Sequence, residues 1–230
     1  MNELNDLPTG EEKARAVQAM FDRIAPRYDR LNRIMTLGMD ASWRRKAIAS
    51  LGLAPGSTVI DVACGTGDFC RELQAHGLVP VGFDVSFGML SMANTTAPLV
   101  QGDGLRLPLR DEVVDGLTCG FALRNVVDLR GLFEESARVL RSGGRVAYLE
   151  TAQPNNALLR AGHRLYFHKI VPLVGGWLSD RDAYRYLPKS SAYLPGKEEL
   201  LSLLESSGFT QVGVRFFGLG AVQLVTGTKR

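Results

Sequence analysis

The 230-residue sequence predicts an α/β protein with a doubly wound, mainly parallel, seven-stranded sheet and an N-terminal helical cap. Two observations predict this class. From residue 56 onward, short strand-like runs alternate with helical stretches, as in parallel strands joined by right-handed crossovers. Residues 1–50 instead show apolar residues at three- and four-residue steps, which indicates helices. No repeat or Gly/Ser-rich linker interrupts the chain, so we expect a single domain over residues 1–230.

Each predicted helix or strand rests on a pattern in its own stretch of the sequence. The cap carries apolar side chains at helical spacing, and "LAPGS" then closes it. Five strand-like runs follow over residues 56–151: "STVIDVA", "VPVGFDV", "APLVQGD", "VVDGLTCG" and "GRVAYLE". Helical stretches begin after Gly67, Ser86 and Asp128, so crossover helices connect these runs.

The rest of the chain divides into an insertion and a closing unit. In the insertion, residues 155–195, apolar and basic residues over 157–171 predict an amphipathic helix that ends before Pro172. Residues 197–230 supply a helix and the runs "TQVGVRFFG" and "AVQLVTGTK", which we expect to pair as closing strands.

The amino-acid composition and charge of the chain reduce the number of functions that need to be considered. With 45% hydrophobic and 22% charged residues, the chain resembles an ordinary soluble protein, and its net charge of +3 is scattered, so nucleic acid is not expected as a partner. Cys64, Cys70 and Cys119 lack zinc or disulfide spacing, which favours a reducing cytoplasm and no metal. The polar N-terminal stretch and the lack of an apolar run of about 20 residues predict neither secretion nor a membrane span.

Glycine and acidic residues cluster where the predicted strands end. Gly65 and Gly67 follow the first strand in "VIDVACGTGDFC", Asp84 ends the second, and Asp103 and Gly104 follow the third. Ligands of open α/β sheets bind beyond these carboxyl ends. The glycines let the backbone turn towards a ligand, while Asp84 can accept hydrogen bonds from a ribose diol and Asp103 from an adenine amino group.

The acidic residues also discriminate between ligands. The third glycine of a dinucleotide fingerprint would fall at Cys70, and Asp68 in the first helical turn would repel a pyrophosphate. An adenosyl ligand with a positive sulfonium carries no phosphate and is compatible with Asp61 and Asp68. The pattern therefore favours S-adenosylmethionine over a nicotinamide dinucleotide, although an ordinary turn also accounts for "GTG" taken alone.

Longer stretches carry a family resemblance: "FDRIAPRYDRLNRIMTLGMDASWRR", "DVACGTGD", "GDGLRLP", "FALRNVVD", "RVLRSGGR" and "VPLVGGWLSDRDAYRYLPKSSAYLP". Through them the chain resembles the class I S-adenosylmethionine-dependent methyltransferases that C-methylate the ring in ubiquinone and menaquinone biosynthesis. The signatures at Tyr28 and Asp29, at 121–125 and at 180–187 are typical of this branch. The chain departs from the family pattern at Asp40, where a histidine is common, and at Val225, where a His-x-Gly motif usually begins, so neither histidine serves as a base here.

The resemblance implies the class I methyltransferase fold and S-adenosylmethionine as cofactor. Over the core, residues 56–151, it implies contacts to the cofactor from Thr66, Asp84, Asp103 and Gly104. With the residues of the glycine corner, the predicted cofactor-binding set is Asp61, Gly65, Thr66, Gly67, Asp84, Asp103 and Gly104.

The acceptor implied by the resemblance is a prenylated hydroquinone. We favour demethylmenaquinol, with the equivalent ubiquinone-pathway benzoquinol or another small molecule as alternatives. The insertion, residues 155–195, is expected to cover this substrate. Its amphipathic helix is compatible both with peripheral contact at the inner face of the membrane and with simple core packing. A protein that binds or methylates RNA is the remaining alternative, and it would need a stripe of basic and aromatic residues that the sequence lacks.

Methylation of a ring carbon requires an electron-rich ring. The acceptor carbon must lie about 3 to 3.5 Å from the methyl group, in line with the leaving sulfur. Following the resemblance, we assign Arg124 to stabilise a phenolate and Asn125 to orient the same oxygen. Taken alone, these would be read as a surface arginine and a helix N-cap asparagine. The candidate bases are Asp180, Tyr184 and an ordered water.

Overall fold

Seven strands form one sheet in the computed structural model, which describes residues 9–154, 156–165 and 190–230. Across the sheet they lie in the order β3-β2-β1-β4-β5-β7-β6. The first five are parallel, and β7 lies antiparallel between β5 and β6. The predicted doubly wound, mainly parallel sheet is therefore confirmed. The strands are β1 (Thr58–Val62), β2 (Val79–Asp84), β3 (Leu99–Gln101), β4 (Val114–Gly120), β5 (Leu140–Thr151), β6 (Phe209–Phe217) and β7 (Val222–Lys229).

Helices occur where the sequence predicts crossovers and a cap. Beyond residue 165, the predicted amphipathic helix lies outside the described residues, and so do Asp180 and Tyr184. No helix in the described part of the chain is long and apolar enough to cross a bilayer. The helices are α1 (Gly10–Met35), α2 (Asp40–Leu51), α3 (Asp68–Ala75), α4 (Phe87–Ser91), α5 (Leu129–Val139), α6 (Ala157–Leu165) and α7 (Lys197–Ser206).

The cap consists of two helices rather than one continuous helical stretch. The chain turns between them at residues 36–39, where Leu37 and Gly38 adopt positive φ angles. The Thr36 hydroxyl stabilises this turn by donating to the carbonyl of Asn32 at 2.8 Å and to the Asp40 carboxylate at 2.9 Å. Beyond this turn α2 packs on β5, while α1 contacts α4 and the residues that follow β4 at the carboxyl edge of the sheet.

The core lies on both faces of β1 and β4, the central strands. Leu117 on β4 is fully buried, and helices cover both faces, as is usual for parallel sheets. On one face Phe133 of α5 packs on Tyr148 of β5 with ring centroids 5.1 Å apart. The Tyr148 hydroxyl donates to Ser136 Oγ at 2.9 Å, so this buried ring keeps a partner for its polar atom. A rigid core of this kind fixes the positions of the strand ends.

Truncating the central strand should measure how much this core contributes. We expect Leu117→Ala to lower the free energy of unfolding by about 2 to 5 kcal/mol, because it removes a fully buried side chain and leaves a cavity. Val79→Ala, at a half-exposed position on β2, should change it by less than about 1 kcal/mol. Urea denaturation measures both values, and equal stabilities for the two variants would contradict this assignment of the core.

Candidate active site

A cavity of about 320 Å³ lies at the carboxyl edge of the sheet, where β1, β2 and β4 end. We call it the edge cavity. The turns after these strands form one side, and α1 closes the other. Six of the seven predicted cofactor-binding residues line it, and Gly67 does not. The six are Asp61, Gly65, Thr66, Asp84, Asp103 and Gly104.

The glycine corner is tied to the end of β2 by a carboxylate. The backbone N–H of Gly65 donates to Oδ2 of Asp84 at 2.8 Å, and that of Ser86 donates to Oδ1 at 2.8 Å. Gly65 has a φ of +56°, and a Cβ there would lie 3.0 Å from Met89 Cε. Gly67, at φ +83°, forms the turn into α3 without facing the cavity. Asp84 therefore shapes the corner, and burial raises the pKa of its carboxyl group.

Asp61 lies at the bottom of the edge cavity. Its side chain is buried, and the Thr118 hydroxyl donates to Oδ1 at 2.8 Å. Burial raises the pKa of Asp61 to about 7, because a carboxylate loses its hydration there. The carboxyl group is therefore poised to change protonation state near neutral pH, and a positive ligand would favour its ionised form.

The charged residues that line the edge cavity are predominantly acidic, although apolar side chains make up most of its wall. Asp61, Asp68, Asp84 and Asp103 face it, and Arg44 is the one basic side chain among its described lining residues. The Arg44 guanidinium already contacts Asp40 at 2.5 Å and Asp68 at 2.8 Å. Since this cation is neutralised by its own partners, the cavity suits a cationic ligand and disfavours a phosphate.

Two residues with side chains adopt the left-handed conformation at this edge. Ala63 follows β1 with a φ of +54°, and Phe121 follows β4 with a φ of +57°. Both line the edge cavity. Positive φ is costly for residues with a Cβ, and such strain concentrates at functional sites. The Phe121 N–H donates to the Leu149 carbonyl at 2.6 Å, which holds the strained residue in place.

The helix α1 is fastened over the edge cavity by four polar side chains. One of them, Asp29, accepts a hydrogen bond from the Thr66 hydroxyl at 2.5 Å. Lys13 donates to the carbonyls of Arg124 and Val126 at 3.0 and 3.1 Å, and Gln18 donates to the carbonyl of Val85 at 2.9 Å. Asp22 accepts hydrogen bonds from the Ser86 hydroxyl and the Gly88 N–H at 2.6 and 2.8 Å. The cap is thus an integral wall of the site.

A second cavity, of about 450 Å³, adjoins the first. We call it the apolar cavity because aliphatic and aromatic side chains from α1, α2, α6 and the turn before β7 make up most of its wall. Phe21, Tyr28 and Phe121 line both cavities, so these three side chains separate the two spaces. Exposed apolar side chains surround its mouth, with Leu37 at 76% and Leu158 at 82% exposure.

Arg124 lies in the wall of the apolar cavity and is buried, so it is not a surface arginine. Its guanidinium lies 2.5 Å from Oε1 of Glu150, the penultimate residue of β5, which is fully buried. It also donates to the Phe121 carbonyl at 2.6 Å and to Ser190 Oγ at 3.2 Å. The predicted catalytic arginine is therefore a member of a buried ion pair.

Asn125 lies in the short 3₁₀ turn after β4 and lines the edge cavity. It is not a helix N-cap, because Asp128 caps α5 by accepting the Gly131 N–H at 2.9 Å. Consecutive residues of this turn thus face different cavities, Arg124 the apolar one and Asn125 the edge one. The candidate bases Asp180 and Tyr184 lie outside the described residues.

Sequence reasoning missed four side chains that hold this site together: Lys13, Gln18, Asp22 and Glu150. A charged residue that ends the otherwise apolar run "GRVAYLE" was an available signal for Glu150. No local signal marks Lys13 and Asp22, because α1 carries many charged residues and only its docking selects the buried ones.

The sheet order and the antiparallel β7 define the fold of the class I methyltransferases, enzymes that use S-adenosylmethionine, the cofactor predicted from the sequence. A solved methyltransferase from Thermotoga maritima, described as a possible histamine N-methyltransferase, has the same fold. It matches with a TM-score of 0.66 and 20% identity, covering 93% of this chain and 99% of that one.

The chain belongs to the ubiE/COQ5 methyltransferase family, whose model matches residues 9–229. The demethylmenaquinone methyltransferase of Roseiflexus sp. (strain RS-1) is 44% identical over 232 residues, covering 97% of this chain and 98% of the relative. The ubiquinone/menaquinone biosynthesis C-methyltransferase UbiE of Syntrophotalea carbinolica is 39% identical, covering 91% and 92%. The family resemblance drawn from the sequence motifs is confirmed.

Breaking the buried ion pair should destabilise the protein. We expect Glu150→Gln to lower the free energy of unfolding by about 3 kcal/mol or more, because it leaves the Arg124 guanidinium buried without a counter-charge. Adding Arg124→Met to this variant should recover much of the loss. Glu112→Gln, which breaks an exposed pair with Lys229, is the control and should cost less than about 1 kcal/mol. Equal urea midpoints for Glu150→Gln and the wild type would contradict the ion-pair assignment.

Proposed function

We propose that this protein transfers a methyl group from S-adenosylmethionine to a ring carbon of a prenylated hydroquinone, demethylmenaquinol, in menaquinone biosynthesis. The observation that carries the proposal is the contact between two unlike cavities: an acidic one suited to a sulfonium and an apolar one suited to a prenylated ring. The names of the relatives that cover nearly the whole chain support the same reaction.

The edge cavity has the chemistry to hold the cofactor, which supplies an electrophilic methyl group when bound. In our proposal Asp84 accepts hydrogen bonds from the ribose diol, and Asp103 and Gly104 face the adenine. The proposal has Asp61 and Thr66 contact the remainder of the ligand, while Gly65 and Gly67 form the turn. Asp61, Asp84 and Asp103 favour a ligand of positive charge, whereas Asp68 is already paired with Arg44 and Arg71.

The reaction forms a bond from the ring carbon to the methyl carbon and breaks the bond from that carbon to sulfur. The ring then loses a proton to regain aromaticity. We assign Arg124 to stabilise the ring oxygen as it ionises and Asn125 to orient that oxygen at the boundary of the two cavities. Burial raises the pKa of Tyr28 to about 12, so its hydroxyl stays protonated at neutral pH and acts as a hydrogen-bond donor. Asp180 and Tyr184 remain our candidates for the final base.

The remaining parts of the proposal concern the tail of the acceptor. We infer that residues 155–195 cover the substrate as an insertion of a single methyltransferase domain, and that the prenyl tail leaves through the mouth of the apolar cavity. Leu37, Leu158 and Leu219 are more than three-quarters exposed there. Such a rim supports peripheral contact with the inner face of the membrane. Three buried free thiols, those of Cys64, Cys70 and Cys119, support a cytoplasmic location.

Methyl transfer to demethylmenaquinol tests the proposal directly. We expect purified protein to transfer labelled methyl from S-adenosylmethionine to this acceptor in preference to a ubiquinone-type benzoquinol. Asp84→Ala should weaken S-adenosylhomocysteine binding at least about tenfold, because a charged hydrogen-bond acceptor is lost. Asp111→Ala, at an exposed surface carboxylate, is the control and should bind as the wild type does. Undiminished turnover by the Asp84 variant would overturn our cofactor site, and a wild type that methylates neither quinol would overturn the function.

The pKa of Asp61 makes cofactor affinity depend on pH. Because burial raises this pKa to about 7, the group must lose a proton before it can pair with a cationic ligand, and that loss becomes costlier as pH falls. Affinity for S-adenosylmethionine should therefore fall between pH 8 and pH 6, by up to about tenfold per unit below the pKa. Calorimetry in buffers of different ionisation enthalpy should detect proton release on binding, and Asp61→Asn should remove it. Affinity that rises as the pH is lowered would contradict the prediction.

A further inference from the structure

Asn32 carries the one buried side-chain nitrogen or oxygen atom that lacks a hydrogen-bond partner in the described part of the chain, its Nδ2. The residue is 9% exposed and lies in the wall of the apolar cavity. A buried amide without a partner destabilises a folded protein, and native structures contain few of them. A ligand in the apolar cavity is one source of the missing partner, and the carboxamide reaches it by rotation about its terminal side-chain bond.

Most other polar side chains of that wall are already engaged. The Thr36 hydroxyl donates to the Asn32 carbonyl and to Asp40. The Thr151 hydroxyl donates to Glu150 at 3.0 Å. The Arg124 guanidinium is held by the contacts to Glu150, Phe121 and Ser190 described above. Apart from the Tyr28 hydroxyl at the boundary of the two cavities, Asn32 is therefore the side chain of this group with hydrogen-bonding capacity left for a molecule inside the apolar cavity.

The position of Asn32 on α1 relates it to the methyl-transfer point. It follows Tyr28 by four residues, so the two side chains lie on one face of the helix about 5 to 6 Å apart along its axis. Tyr28 lies at the boundary of the two cavities, whereas Asn32 lines the apolar one alone. A ring whose reacting carbon sits at the boundary would extend past Asn32.

We propose that the Asn32 carboxamide hydrogen-bonds to a ring oxygen of the acceptor, the one remote from the oxygen at Arg124, and thereby selects rings that carry two oxygens. This inference rests on the proposed function, since it assigns a specificity residue to the acceptor site. It gives the unpaired amide a partner and gives an otherwise apolar cavity a means of orienting a ring. A purely apolar wall would accept the ring in either orientation.

Replacing the amide by an isosteric apolar side chain tests the proposal. Two acceptors are used: a prenylated 1,4-dihydroxynaphthalene, and its analogue in which the hydroxyl remote from the methylated carbon is absent. We expect Asn32→Leu to lower kcat/KM for the dihydroxy acceptor about five- to tenfold, chiefly through KM, and to change the value for the analogue less than about twofold. Affinity for S-adenosylhomocysteine should not change.

Stability gives an independent readout of the same variant. Asn32→Leu should raise Tm, because it removes a buried donor that has no partner in the unliganded protein. Gln223→Leu is the matched control: this buried amide donates to the Thr151 carbonyl at 3.2 Å, so its replacement should lower Tm. A lower Tm for Asn32→Leu as well would show that Asn32 is paired within the protein and would overturn the proposal.

The outcomes separate this inference from the proposed function. Equal losses for the two acceptors, or no loss for either, in an active wild-type background would overturn the role of Asn32 and leave the function standing. A wild type that methylates neither acceptor would overturn the function and this inference together. A loss confined to the dihydroxy acceptor, with raised Tm, would support the assignment.

Discussion

The buried ion pair of Arg124 and Glu150 is the interaction on which both cavities depend. Parallel pairing of β4 with β5 brings the turn after β4 beside the end of β5, where Glu150 accepts from the Arg124 backbone N–H at 3.2 Å and from its guanidinium. Because the residues after β4 are fixed in this way, the carbonyl of Arg124 can accept a hydrogen bond from Lys13 of the helical cap. A single carboxylate thus links the sheet, the wall between the cavities and the helix that covers them.

Several residues of the edge cavity lower the stability of the folded protein and in return place charges and sharp turns where a ligand would bind. Asp61 and Asp84 sit buried at strand ends, where burial raises the pKa of each carboxyl group. Ala63 and Phe121 hold a strained backbone at the same edge. Each of these features lowers the free energy of unfolding compared with an apolar residue in a relaxed conformation. Each also supplies a charge or a sharp turn at the wall of the edge cavity. The rigid core around β1 and β4 offsets these costs, which explains why the site is built on strand ends rather than on mobile loops.

The sequence could predict the edge cavity because its residues are local to strand ends: Gly65, Asp84 and Asp103 need only the knowledge that neighbouring parallel strands end together. It could not predict the apolar cavity, whose wall comes from elements far apart in the chain. Nor could it predict that Arg124 is buried against Glu150, since that contact depends on strand order and register. The cap was predicted as helical, but its division at residues 36–39 depends on a local turn that helical spacing does not detect.

In the proposed function, the ion pair also affects which molecules the apolar cavity can bind. A lone guanidinium there would bind water or an anion and would oppose an apolar ring, whereas the pair with Glu150 is neutral overall and can border such a space. In the proposed reaction a ring hydroxyl ionises beside this pair, and Arg124, which lines the cavity, presents the positive end of the pair to the new charge. Under our proposal, a neutral, oriented pair admits an uncharged acceptor and stabilises its ionised form. This combination is what methylation of a ring carbon requires, and a free arginine would provide only the second part of it.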